Sequence, residues 1–168
     1  EGYENAEIID CNGNVLPSQL TSDGKAVFFA SAVPSKGYKS FEIRKTEAKT
    51  GENIQNFIND KVLENRFFRI SFDDNMNISS IFDKENNREV LKPGEKANVL
   101  QAFEDKPHNY DAWDINIYYQ EKMWEVSDVD SVEIIECGNV RTTVRVSRKF
   151  CDSLITQKIS IYNDIPRI

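Results

Sequence analysis

The densest group of reactive side chains in this sequence lies between Phe103 and Asp114, Phe-Glu-Asp-Lys-Pro-His-Asn-Tyr-Asp-Ala-Trp-Asp. Four acids (Glu104, Asp105, Asp111 and Asp114) share these twelve residues with Tyr110 and Trp113. An aromatic ring flanked by carboxylates is the chemistry of a sugar site. The ring stacks on the apolar face of a pyranose, and the carboxylates accept hydrogen bonds from its hydroxyls. Glycosidases also need two carboxylates, one as acid or base and one as nucleophile, and Asp111 and Asp114 have the makings of such a pair. A plainer reading competes: Pro107 breaks a strand, the acids solvate a loop, and Trp113 anchors it. The residues alone leave both open.

Other chemistries find little support. His108 is the single histidine and no Cys-x-x-Cys pair exists. Structural zinc sites take four Cys or His ligands, and catalytic ones keep three protein ligands. His108 with Asp105 and Asp111 is the one grouping that approaches such a set, so no metal site is expected in this chain. A Ser-His-Asp or Cys-His arrangement would depend on the same lone base, and no nucleophile elbow is present. The 7 glycines form no phosphate-binding loop. The net charge is -7 and no Lys/Arg-rich patch occurs, which argues against nucleic acid and anionic membrane as partners. No apolar run approaches the ~20 residues that span a bilayer.

The 3 cysteines, Cys11, Cys137 and Cys151, form no close pair, and their odd number fits a reducing, cytoplasmic compartment. A glycosylation sequon, Asn77-Ile78-Ser79, would matter only in a secreted protein. The chain begins at Glu1 rather than at Met, as expected of a trimmed polypeptide.

The elements that must position these residues follow a period of two. In the run 140–146, Val140, Thr142, Val144 and Val146 share one face, while Arg141, Thr143 and Arg145 share the other. That pattern predicts a strand with an apolar inner and a charged outer face. Ile155, Ile159 and Ile161 likewise oppose Thr156, Lys158 and Ser160, and Phe68, Ile70 and Phe72 oppose Arg69, Ser71 and Asp73. Further strands are expected near Ala26–Ala32, Tyr38–Arg44, Ile78–Phe82, Val99–Phe103 and Val132–Cys137. Asn12-Gly13, Asp23-Gly24 and Cys137-Gly138-Asn139 read as turns, and Asp73–Asn77 as a loop between strands. Only Glu52–Leu63, with Ile54, Phe57 and Ile58 at helical spacing, suggests a turn or two of helix.

Many short strands separated by turns imply an all-β, antiparallel sandwich. The polar stretch Lys45–Glu52 is the expected boundary between strands of a small sandwich (1–50) and the N-terminal part of a larger one (51–168). The sequence stops on Ile168 just after a strand, as a domain cut short of its full sheet would, leaving an edge open to self-association near Ile159–Ile168.

Several ordered segments resemble family 38 glycoside hydrolases, the α-mannosidases. Asn65-Arg-Phe-Phe-Arg-Ile-Ser-Phe-Asp73 is similar to the strand opening that family's large β-sandwich. Ile78-Ser-Ser-Ile-Phe-Asp-Lys84 and Arg88-Glu-Val-Leu91 resemble its next hairpin. The run Ala97-Asn-Val-Leu-Gln-Ala-Phe-Glu-Asp105, then Pro107, then Tyr110-Asp-Ala-Trp-Asp114, resembles a segment of the bacterial and cytosolic branch. Asn12-Gly13, Val33-Pro34 and Gly37-Tyr38 match the small sandwich ahead of it, and Ile161-Tyr-Asn-Asp-Ile-Pro-Arg167 a strand end that continues into further sheet.

The resemblance implies a truncated galactose-mutarotase-like super-sandwich that follows a catalytic α/β barrel. It implies a parent enzyme that cleaves terminal α-linked mannose with retention, using an Asp nucleophile, a second carboxylate, and a zinc ion held by two His and two Asp. With one histidine this chain cannot supply that zinc site, so no catalytic residue is carried onto it. Its expected partners are the catalytic barrel of the same polypeptide and, through the parent enzyme, mannosyl oligosaccharides. Tyr110, Asp111, Trp113 and Asp114 are the expected substrate-facing residues. Two alternatives stand beside this reading: a free-standing carbohydrate-binding β-sandwich module and a sandwich without a ligand. A binding module needs two or three aromatics on one face, for which Tyr110, Trp113, Tyr118, Tyr119 and Trp124 are the candidates unless they are core.

Overall fold

A computed structural model describes residues 6–46, 60–110 and 112–168. Short strands succeed one another wherever apolar and polar residues alternate. The first group is β1 (Ala6–Asp10), β2 (Val15–Leu16), β3 (Ser18–Leu20), β4 (Ala26–Phe28) and β5 (Phe41–Lys45). Here β1 lies between β2 and β5, while β3 and β4 form a hairpin. Next come β6 (Val62–Glu64), β7 (Phe68–Phe72), β8 (Ile78–Asp83) and β9 (Arg88–Glu89), which pair in sequence order. An arm follows, made of β10 (Gln101–Phe103) and β11 (Met123–Glu125), with a 3₁₀ helix, Ile117–Glu121, between them. Three long strands complete the chain: β12 (Asp128–Cys137), β13 (Arg141–Phe150) and β14 (Ser153–Tyr162). The described strand pairs are antiparallel throughout.

The core shows why this is a sandwich. Leu63, Ile70, Phe72, Met76 and Ile78 of the β6–β9 sheet and its turn pack against Val144, Val146 and Ile161 of the β12–β14 sheet. Ile70, Val144 and Val146 are the inward positions of the alternation, and all three are fully buried. Two antiparallel sheets each bury one apolar face on the other, as a period of two demands.

Two expectations need correction. The other face of β13 is not simply charged and solvated. Thr143 is buried and bonds Glu136 (3.2 Å) and Ser160 (2.9 Å). Arg141 donates through Nε and Nη2 to the buried Glu136 carboxylate at 2.6 and 3.0 Å. A polar layer thus covers this face, because a buried carboxylate is tolerated when an arginine fork satisfies both its oxygens. Of the stretch Glu52–Leu63, where a turn or two of helix is expected, Val62 and Leu63 pair with Ser71 and Ile70 as part of β6. Residues 47–59 lie outside the described part, and with them the rest of that stretch and most of the boundary expected at Lys45–Glu52. Strand β4 also stops at Phe28, short of the extent expected for it.

The turns repeat one device. Asp10 leads a five-residue turn in which its Oδ1 accepts the amides of Asn12 and Asn14, both at 2.9 Å. Asp73 does the same for Asn75 (3.0 Å) and Asn77 (2.9 Å). The fourth position is left-handed in both, Gly13 at φ 83° and Met76 at φ 58°. Asn77 is only 2% exposed, so the folded chain withholds its sequon from solvent.

These turns predict a pH dependence. Hydrogen bonds from the Asn14 side chain and amide hold the Asp10 carboxyl below its usual 3.8, and those from Asn86 do so for Asp83. Bonding from Lys25 and Thr21 brings Asp23 to about 2. A carboxylate lowered in the folded state stabilises above its unfolded value, and that stability is lost as pH falls through the folded value. The thermal midpoint should therefore stay level above about pH 5 and decline from 3.8 toward about 2. Replacing Asp10 and Asp83 by Asn should make the decline shallower. An unchanged acid limb in that double variant would show that these turns do not carry it.

Candidate functional site

The arm that presents the candidate residues is self-contained. Strands β10 and β11 pair Gln101 with Glu125, Ala102 with Trp124 and Phe103 with Met123, and among the described residues neither joins another sheet. The Glu104 amide donates to the Lys122 carbonyl at 3.1 Å and lengthens the ladder. Glu104 also pairs with Lys106 (2.9 Å) and Lys122 (3.0 Å), and these bonds, Lys106 first, hold its carboxyl below the usual range. The Phe103 ring meets Tyr119 edge-on at 5.3 Å, and Trp124 meets Phe150 of β13 at 6.4 Å, tying the arm's foot to the sandwich.

At the tip, Tyr110 adopts a left-handed backbone, φ 59°. Its carbonyl accepts the amides of Trp113 (2.7 Å) and Asp114 (3.0 Å). This turn brings Tyr110, Trp113 and Asp114 together and points them outward: Trp113 is 90% exposed, Tyr110 is 76% exposed, and Asp114 is exposed. Asp111 lies outside the described residues, so the geometry of an Asp111–Asp114 pair is not defined. Trp113 does not anchor its own loop. That role falls to the Phe103–Tyr119 and His108–Tyr118 ring contacts and to the Glu104 ion pairs.

Sequence reasoning missed two neighbours that enlarge this surface, Ile115 and Ile117, each 68% exposed. Their alternation with Asp114 and Asn116 was the available signal. A polar hollow opens at the arm's foot, lined by Glu95, Lys96, Asn98, Gln101 and Glu125. It offers amides, an ammonium and carboxylates, groups that bond hydroxyls, but no aromatic ring lines it.

Among the described residues no three His, Cys, Asp or Glu side chains gather to hold a metal ion. His108 instead stands edge-on to Tyr118, with ring centres 6.2 Å apart. No helix among the described residues is long and apolar enough to cross a membrane.

The described residues form a two-sheet antiparallel β-sandwich that carries an outward aromatic and acidic arm. Residues 63–168 match the family described as "Glycosyl hydrolases family 38 C-terminal domain", and the chain belongs to that family. It is also 36% identical over 88 residues to "Alpha-mannosidase G" of Dictyostelium discoideum, a match covering 52% of this chain. The match takes in only 8% of that protein's length, so this chain corresponds to a small part of its curated relative.

Proposed function

We propose that this chain is the non-catalytic β-sandwich portion of an α-mannosidase. The parent enzyme hydrolyses terminal α-linked mannose with retention, and its nucleophile, its acid–base carboxylate and its zinc lie in other residues of the polypeptide. The sandwich packs on the catalytic barrel, and the arm carries Tyr110, Asp111, Trp113 and Asp114 to the substrate cleft. The observation that carries this reading is the pairing of a family 38 C-terminal match with a 90%-exposed Trp113 on a braced, self-paired arm. A ring that is 90% exposed on a structured turn gives its own chain almost no burial, which supports a role for it toward something outside the chain.

The charge-removing variants Asp111→Asn and Asp114→Asn test the site assignment in the full-length parent. Each should lower kcat/KM for a mannoside by roughly threefold to tenfold, the range of one lost hydrogen bond, with the thermal midpoint unmoved. Wild-type rates in both would remove these carboxylates from the cleft. The second reading, a free-standing carbohydrate-binding module, draws on the same exposed ring. It requires the chain alone to bind mannosyl oligosaccharides, which a flat calorimetric titration would refute.

Two further proposals concern setting and assembly. Cys11 and Cys151 are exposed and form no disulfide, and with the buried Asn77 they support a cytoplasmic parent. Fractionation that placed the parent in a secretory compartment would contradict this. Strand β14 pairs with β13 alone among the described residues, and its ten residues contain neither proline nor glycine. Such an edge recruits partners. The chain by itself should form dimers or larger species at millimolar concentration, and a strictly monomeric sedimentation profile would count against it.

A further inference from the structure

The turn between β12 and β13, residues 138–140, is gripped from two directions. Its amides are claimed by a side chain far away in sequence: Gln19 of β3 accepts the N–H of Val140 and of Arg141 through one oxygen, both at 2.8 Å. Its carbonyls are claimed by Asn163, whose Nδ2 donates to Gly138 (3.0 Å) and Asn139 (2.9 Å) and whose amide donates to Val140 (2.9 Å). Gln19 is 5% exposed. Its neighbour Ser18, equally buried, donates to the Ala6 carbonyl of β1 at 3.3 Å. A continuous polar path therefore runs from β1 through β3 to the β12–β13 turn and on to β14.

Two observations make this path the mechanical link between the N-terminal strands and the sandwich. A Cβ on Gly138 would lie 2.6 Å from Gln19 Oε1 and 2.9 Å from Gln19 Cδ, so glycine leaves just the space that the amide fills. The apolar packing at the same junction is incomplete. A cavity of about 140 Å³ remains between Val27 and Phe28 on one side and Val140, Tyr162 and Ile165 on the other. Where apolar contact is interrupted, directional hydrogen bonds to buried amides fix the relative position of the parts.

We propose that Gln19 is a positioning residue, a clasp that seats in the space left by Gly138 and makes the β1–β5 strands and the β12–β14 sheet one rigid body. The inference goes beyond the reading of function and does not depend on it.

Hydrogen exchange followed by mass spectrometry on the intact parent polypeptide tests it. Gln19→Ala should speed exchange of the Val140 and Arg141 amides by about tenfold or more, as loss of a buried acceptor requires. Exchange in β1 should rise in parallel. Gly138→Ala should do the same by displacing Gln19. The double variant should exchange no faster than Gln19→Ala alone, because both changes break the one contact. Gln19→Glu keeps the acceptor oxygen and should retain protection, which separates loss of the clasp from general unfolding. Unchanged exchange in Gln19→Ala, or effects of the two substitutions that multiply in the double variant, would overturn the clasp.

Discussion

Arg148→Ala should cost about 3–5 kcal/mol of folding stability, although arginine is ordinarily a surface residue. Arg148 is fully buried in this chain. Its Nη2 donates to the carbonyls of Asn75 (2.9 Å) and Met76 (2.8 Å), and its Nη1 to the Gln157 side chain. Gln157 in turn donates to Asn98 at 3.0 Å. One guanidinium on β13 thus fastens the β7–β8 turn of the opposite sheet and, through Gln157, the segment before the arm. Truncation strands two buried carbonyls at about 1–3 kcal/mol each and leaves a void. Arg148→Lys should recover little, since one ammonium cannot reproduce a planar fork with several acceptors. The urea midpoint at unchanged slope reads the loss. A shift worth less than about 1 kcal/mol would mean that water or a rearranged Gln157 replaces the guanidinium.

Trp113→Ala should act on rate rather than on folding. In the full-length parent, kcat/KM for an α-mannoside should fall by roughly tenfold to a hundredfold, equivalent to ~1.4–2.8 kcal/mol of lost stacking. The thermal midpoint should hardly move, because a 90%-exposed ring gives its own domain almost no burial. Trp113→Phe, which keeps a stacking face, should recover most of the rate. A lower midpoint with full activity in the folded enzyme would make Trp113 a brace between sandwich and barrel, and wild-type behaviour in both would make it a surface residue.

Much of the sandwich was legible because its signal is local. Phe68, Ile70 and Phe72 alternate with polar neighbours and face inward as that alternation requires, and Val144 and Val146 do the same on β13. What escaped was set by distant chain. Arg148 falls in phase with the inward Val144 and Val146, but an arginine is not a residue that the local pattern assigns to a core. It is buried because the Asn75 and Met76 carbonyls arrive from the other sheet. Glu136 is buried for the same kind of reason, its oxygens claimed by Arg141.

The repeated five-residue turn was legible in principle. Asp10-Cys-Asn-Gly-Asn14 and Asp73-Asp-Asn-Met-Asn77 share Asp, Asn and Asn at the same spacing. Met76 at the left-handed position hid the likeness, since that backbone ordinarily calls for glycine. The candidate site was legible as a cluster of residue types but not as a surface. Nothing local distinguishes an indole that packs from one that points away, and Tyr110's left-handed turn decides the matter for Trp113.

Central to the account is that this family 38 sandwich serves a catalytic apparatus carried by other residues. The direct measurement is hydrolysis of an aryl α-mannoside by this chain alone, with and without added zinc, on protein whose far-ultraviolet circular dichroism is that of strands. The account predicts no turnover above a buffer blank in either condition. Turnover that Asp111→Asn or Asp114→Asn abolishes would contradict it and move the catalytic pair into the arm.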